Sequence, residues 1–508
     1  MAENQGVYKN PVVKPPRLDE IRQINADLRL NTSDEEIEYL HEHLKEALVA
    51  YQRLNEIPEP QLPVKYPRLP GKRSTDEAWY WECEIKGAPS GKLAGKKIGI
   101  KDNVAVAGVP MMNGSKILEG YTPEFDATII TRMLDAGGII IGKTVCEDLC
   151  FSGNSWTSST GPVKNPYDPK RTTGGSSSGS AALLARKEID LAIGGDQGGS
   201  IRIPACWCGV VGLKPTFGLV PYTGISSIES SIDHTGPMAR SVTDCALFLE
   251  VIAGYDEGRD PRQIPGVKIP EYSKQVDNEI KGMKIGLVTE GFDGVDSDVF
   301  KIVKEAASTL TTIGVSVEDV SIPLHADGVA IWTPVAFEGT YKCMIQGNGC
   351  GVNWKGHYPT SMLDAMSKGL TARPYDMSFA TKIGVVIAEY MNRHYQNKFY
   401  AKAQNLTQSL TRAYDEALDK YDVLVMPTLP SKAFLLPTEK DSIAVRIKLT
   451  FDMLKNTAPF DSTGHPALTI NAGFSETLPV GMMIIGKKFD ESTVLRVARA
   501  FEKLRDAK

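Results

Sequence analysis

A serine hydroxyl attacks at neutral pH only when a base takes its proton and donors wait for the oxyanion that forms. In this 508-residue chain the segment Gly194-Gly-Asp-Gln-Gly-Gly-Ser-Ile-Arg202 sets such donors beside a serine, Ser200. Gly198 and Gly199 carry no Cβ, so their N–H groups can approach a substrate oxygen closely. The backbone amides of Gln197, Gly198, Gly199 and Ser200 are therefore the candidate oxyanion hole, and Ser200 is the candidate nucleophile. A second glycine-serine run, Gly174 to Ser180, contains Ser176 and Ser177, and Lys101 ends the apolar stretch Lys97-Ile-Gly-Ile-Lys101. Together these residues sketch a Ser-Ser-Lys hydrolase.

The residues leave the base open. His234 and His465 sit in glycine-containing turns that could approach the site, which would give a histidine-based arrangement. Lys101 is the other option, because a side chain at the end of an apolar strand projects toward the mouth of an α/β sheet. Moving a lysine from about 10.4 to about 7.5 takes roughly 4 kcal/mol, which burial in a dry pocket supplies. Its neighbour Asp102 points to the opposite face of the strand and does not cancel this. Gly175-Ser-Ser-Ser-Gly179 also fits the G-x-S-x-G elbow with Ser177 as nucleophile, but that elbow needs a strand directly before it, and Lys164 to Arg171 reads as a loop. No Gly-Lys-Ser/Thr follows the glycines, which disfavours a phosphate loop, although a silent anion site remains an alternative.

Around these residues the pattern alternates as in α/β proteins. Strands are expected at Lys97 to Lys101, Gly138 to Gly142, Ile189 to Ile193, Lys284 to Val288, Val315 to Val320, Asp422 to Met426, Leu468 to Ala472 and Met482 to Ile485. Helices are expected near Ala127 to Ala136, from Ser178, and from Glu491 to Leu504. Strands apolar on both faces imply a central sheet covered by helices on each side. Upstream, Leu18, Ile21, Ile24 and Leu28 recur at helical spacing. Ser33-Asp-Glu-Glu36 caps a second helix striped by Ile37, Leu40, Leu44, Leu48 and Tyr51. Prolines between Pro58 and Pro70 mark a connector, giving an N-terminal helical region over residues 1–70 and a main domain over 71–508. Between 325 and 400 aromatics gather: Trp332, Phe337, Tyr341, Trp354, Tyr358, Tyr375, Phe379 and Tyr390. They read either as an ordinary helical insertion or as the lid or wall of a pocket.

A net charge of −5 without basic blocks gives no reason to expect nucleic acid or an anionic membrane as partner. No apolar run is long enough to span a bilayer, and Met1 to Val13 lacks the core of a signal peptide, so the expected compartment is the cytosol. Eight cysteines in so long a chain are no disulfide framework. Neither Cys146 with Cys150 nor Cys206 with Cys208 has the spacing of common zinc sites, and buried thiols are the expected reading.

At these residues the chain closely resembles the amidase signature family. The likeness runs from about Leu93 to Lys508 through GIKDN at Gly99, GGSSSGSAA at Gly174, GGDQGGSIRIPA at Gly194, GLKPTFGLVP at Gly212, DHTGPMARSV at Asp233, DVLVMPT at Asp422 and HPALTI at His465. The resemblance implies a mixed sheet between helical layers and a Ser-cisSer-Lys triad. In that triad Ser200 attacks, Ser176 follows a cis peptide and bridges, and Lys101 is the base acting through it. It implies that Ser177, Asp196 and Arg202 brace the two loops, and that no metal or organic cofactor is needed. Gln197 stands where many members carry Thr or Ile, and the chain looks most like the broad-specificity amidases with an N-terminal helical domain, which are often dimers. The implied reaction is hydrolysis of a carboxylic amide through an acyl-enzyme to acid plus ammonia or amine. A carbamate, anilide or ester hydrolase and the amidase subunit of a tRNA-dependent amidotransferase are the alternatives.

Overall fold

The computed structural model describes residues 13–438 and 440–507; of the segment Met1 to Val13, where a signal peptide would lie, only the last residue is among them. The chain divides into two units, Met1–Leu62 and Pro63–Lys508, a division inside the proline-rich connector. In the first unit lie the helices Leu18–Leu28 and Asp34–Glu56. Ser33 caps the second: its Oγ accepts from Glu36 N while Ser33 N donates to the Glu36 carboxylate at 2.7 Å. Of the expected stripe Ile37 is buried, Leu44 and Leu48 are half-buried, and Leu40 and Tyr51 stay exposed. Among the described residues no helix is long and apolar enough to cross a membrane.

The second unit is built on one twelve-stranded sheet. In chain order its strands are β1 Lys72–Arg73, β2 Trp79–Lys86, β3 Lys97–Lys101, β4 Ile139–Thr144, β5 Leu191–Asp196, β6 Val211–Lys214, β7 His234–Ala239, β8 Lys284–Val288, β9 Ser316–Val320, β10 Val423–Pro427, β11 Ala467–Ser475 and β12 Leu478–Ile485. They lie in the order β1-β2-β4-β3-β5-β7-β6-β11-β12-β10-β8-β9. β3 runs parallel to β4 and β5, and β8 to β9 and β10, while the remaining pairs are antiparallel, so the sheet is mixed.

Alternate residues of β5 feed two cores, as the period-two geometry of a strand requires. Leu191 and Ile193 join Phe248, Val299, Val494 and Val497, from helices Val242–Ile252, Ser297–Thr309 and Glu491–Asp506. Ala192 joins Ala181, Leu184 and Ala205, from helices Ser178–Ala185 and Arg202–Trp207. Helices thus cover both faces.

The expected strands are present, with β5 continuing to Asp196 beyond the expected Ile193. Four strands carry weak signals in sequence: β1, β2, β6 and β7. His234-Thr-Gly-Pro-Met-Ala239 reads as a turn, yet it is β7, paired to β5 through Ile193 and Pro237. The proline is tolerated in an interior strand because β6 pairs β7 only at Met238 and Ala239, so that Pro237 is paired on its β5 side alone.

Candidate active site

Parallel neighbours deliver their C-terminal ends to one place. In β3 and β5 Ile100 faces Ile193, so Lys101 finishes one strand beside the point where Gly194-Gly-Asp196 finishes the other. β4 ends there too, with Lys101 opposite Thr144. Three loops leave from this shared end or come to it.

Lys101 is fully buried, and its Nζ donates to Ser176 Oγ at 2.8 Å and to the Gly195 carbonyl at 3.3 Å. Both partners are neutral oxygens. Asp102 turns away and pairs with Lys143 at 3.0 Å, as strand alternation requires. The Gly175–Ser176 peptide is cis. Ser177 stitches the two glycine-serine loops together: Gly195 N donates to its Oγ at 3.2 Å, that Oγ donates to Gly195 O at 3.3 Å, and Ser177 N donates to Ser200 O at 3.3 Å.

The far end of the loop from Gly194 to Arg202 is clamped by charge. Arg202 grips Asp196 with Nε at 3.0 Å and Nη2 at 2.9 Å, and also donates to Asp461 at 2.8 Å, all three side chains being fully buried. Asp196 accepts from the amides of Ile201 and Arg202 as well. Burial pushes the Asp196 carboxyl up, but the Arg202 guanidinium more than offsets it, so the group sits well below the usual carboxylate range. Burial and the nearby Asp196 charge push Asp461 well up.

Ser200 borders a narrow pocket walled by Phe151, Ile228, Ile232, Trp332, Phe451 and Leu454, with Gln197, Gly198 and Cys150 also exposed to it. Gln197 Nε2 donates to Tyr222 OH at 2.8 Å, while its Oε1 has no hydrogen-bond partner. Beneath the first glycine-serine loop lies Glu147, whose carboxylate accepts from Thr157 N and Oγ1 at 2.6 Å and from Ser178 Oγ at 3.1 Å. Burial raises its pKa to about 7 against those hydrogen bonds.

The protein-family model named Amidase matches residues 71–495. The chain belongs to the amidase signature family. An enantioselective amidase of Rhodococcus rhodochrous is 44% identical over 498 residues, 96% of this chain and 95% of that protein. A glutamyl-tRNA(Gln) amidotransferase subunit of Methanosarcina mazei is 38% identical over 83% of this chain and 87% of its own length. Among solved structures, the corresponding subunit of Thermotoga maritima superposes with a TM-score of 0.67 at 32% identity, over 82% of this chain and 84% of that one.

Within this amidase the histidines have other company. His234 opens β7 instead of lying in a turn; its Nδ1 is 2.8 Å from Ile232 O, and burial, then the nearby Lys214, holds its pKa well down. His465 lies between Thr463 and Asp415, each at 2.9 Å. Among the described residues neither hydrogen-bonds a serine of the two loops. Cys146 and Cys150 both point at Asn113 Oδ1, at 3.6 and 3.2 Å, while Cys208 faces Thr173 O at 3.5 Å.

The aromatic segment splits. Trp332 reaches the pocket, and Phe337 packs edge-on to Phe151 at 5.4 Å behind it. Trp354 stacks on Tyr358 at 4.2 Å beside a separate cavity with Tyr222 and Arg262. Tyr375, Phe379 and Tyr390 are exposed. Sequence reasoning does not find Glu147 or Asp461, which are single polar residues without a spacing partner.

Proposed function

We propose that this amidase hydrolyses amides through Ser200, with Ser176 passing its proton to Lys101. The observation that carries the reading is the 2.8 Å contact between Lys101 Nζ and Ser176 Oγ, both side chains being fully buried. Ser200 Oγ attacks the amide carbon; Ser176 takes its proton and hands its own to the Lys101 amine. The amides of Gln197, Gly198, Gly199 and Ser200 receive the oxyanion. On collapse, the relay returns a proton to the leaving nitrogen, and water then releases the acid by the same route. Asp196, Arg202 and Ser177 keep the loops in register.

The apolar, aromatic wall favours an acyl group that is itself aromatic or branched. Carbamates and anilides fit the same chemistry. An amidotransferase-subunit role has less support, because those relatives match 83% of the chain where the amidase match covers 96%. Exposed Tyr39, Val49, Tyr51 and Leu54 on the second helix favour a homodimer, which light scattering on the purified chain checks.

The deciding experiment is covalent labelling by a fluorophosphonate beside a panel of benzamide, propionamide, ethyl carbamate and anilides. Labelling and ammonia release should both vanish in Ser200→Ala. Labelling that survives Ser200→Ala overturns the assignment.

A further inference from the structure

Each amide of the oxyanion loop belongs to a peptide plane whose other edge is a carbonyl, and two of those carbonyls are held from distant parts of the chain. Trp332 Nε1 donates to Gln197 O at 2.7 Å, and Thr457 Oγ1 donates to Gly198 O at 2.6 Å. A trans peptide is planar, with the C=O of one residue and the N–H of the next directed oppositely in one rigid plate. Holding Gln197 O therefore aims Gly198 N–H, and holding Gly198 O aims Gly199 N–H. We infer that Trp332 and Thr457 are positioning residues that fix the direction of these two oxyanion donors, an inference that rests on Ser200 as the nucleophile.

The sequence makes such holds necessary. Glycine samples positive and negative φ with similar ease, so a plate between Gly198 and Gly199 has little of its own to stop it turning over. Gly199 already stands at φ +136°. Nor can either glycine be replaced by a stiffer residue. A Cβ at position 198 would meet Trp332 Cζ2 at 2.8 Å, and one at 199 would meet Thr457 Oγ1 at 2.5 Å. The side chains that exclude a Cβ are thus the ones that restrain the plates.

Both holders are themselves fixed. Trp332 is buried on the helix Gly328–Thr340. Thr457 follows Asn456, whose Nδ2 donates to Pro427 O at 2.7 Å at the end of β10 and to Gly291 O at 2.8 Å. Thr457 does not border the pocket, so its hydroxyl acts on catalysis only through the loop.

Oxyanion charge develops in the transition state and not in the bound substrate, so misdirected donors lower kcat and leave KM nearly alone. Trp332→Phe keeps a ring without the N–H, Thr457→Val keeps the shape without the hydroxyl, and Thr457→Ser keeps the hydroxyl. Benzamide hydrolysis and inhibition by phenylboronic acid, which forms a tetrahedral adduct on serine, are measured for each. Trp332→Phe and Thr457→Val should each lower kcat tenfold or more, with KM within about threefold and boronate affinity falling by the same factor as kcat/KM. Thr457→Ser should recover kcat to within about threefold of wild type. A Thr457→Val enzyme with wild-type kcat, a Thr457→Ser enzyme as impaired as Thr457→Val, or a loss confined to KM overturns the inference. Ser200→Ala is run alongside. Activity surviving there removes the nucleophile assignment itself, whereas an inactive Ser200→Ala with unimpaired Thr457→Val and Trp332→Phe removes only the positioning role.

Discussion

At the ends of β3 and β5 the polar groups come from three short runs, ending at Lys101 or spanning Gly174 to Ser180 and Gly194 to Arg202, and each is held by hydrogen bonds to its neighbour. Apart from Trp332, which hydrogen-bonds the loop, the wall around Ser200 is made the other way: Phe151, Ile228 and Phe451 come from three separate segments and meet largely by packing, with Phe151 and Phe451 at 5.9 Å between ring centres. A buried polar group that loses its partner is left unsatisfied, so the floor has little freedom to vary. An apolar wall accepts other apolar side chains at modest cost. Such a division lets one reaction be kept while the acyl group it serves is changed.

The sharpest test of that contrast is Lys101→Ala, which should lower kcat for benzamide about 10³-fold or more with the protein still folded, since the proposed general base is removed outright. Comparable turnover in that variant would break the distinction between floor and wall. Asp196→Asn comes next: it leaves the buried Arg202 without its main counter-charge and should cost roughly 3 to 5 kcal/mol of stability by urea unfolding.

Glu147→Gln has a smaller effect with a definite pH signature. The folded pKa, about 7, lies above the ordinary value of 4.5, so the native state holds this proton more tightly than the unfolded chain does. Wild-type stability from this group is therefore full below about pH 4.5 and is lost as pH rises to about 7. The glutamine variant should gain on wild type by roughly 3 kcal/mol across that window and by nothing further above it. A difference that stays flat from pH 4.5 to 7 would exclude an ionising Glu147. The smallest effect is expected in the wall: Phe451→Ala should keep propionamide turnover within about threefold and admit bulkier acyl groups, measured as ratios of kcat/KM across the panel.

The same contrast explains what is legible in the sequence. Lys101, Ser176, Ser177, Asp196, Gln197 and Ser200 stand in contiguous runs whose composition is itself the signal, and the strand that ends at Lys101 is apolar enough to be seen. Gly194 and Gly195 look like loop, which places the end of β5 at Ile193; pairing with β7 on one side carries it on to Asp196. β7 hides behind its own glycine and proline. Trp332 stands out by aromatic density, but Tyr375 and Tyr390 stand out equally and lie exposed, since density says nothing of which face a helix turns inward. Thr457, Glu147 and Asp461 matter only because tertiary folding brings them to the loops, and no local spacing encodes that.

The position of β3 and β5 within the sheet has a practical corollary. They are bonded neighbours well inside a sheet whose outermost members are β1 and β9. Fraying or proteolytic nicking at either rim should therefore leave turnover untouched until the sheet melts as a whole, so loss of activity on heating should coincide with global unfolding and not precede it.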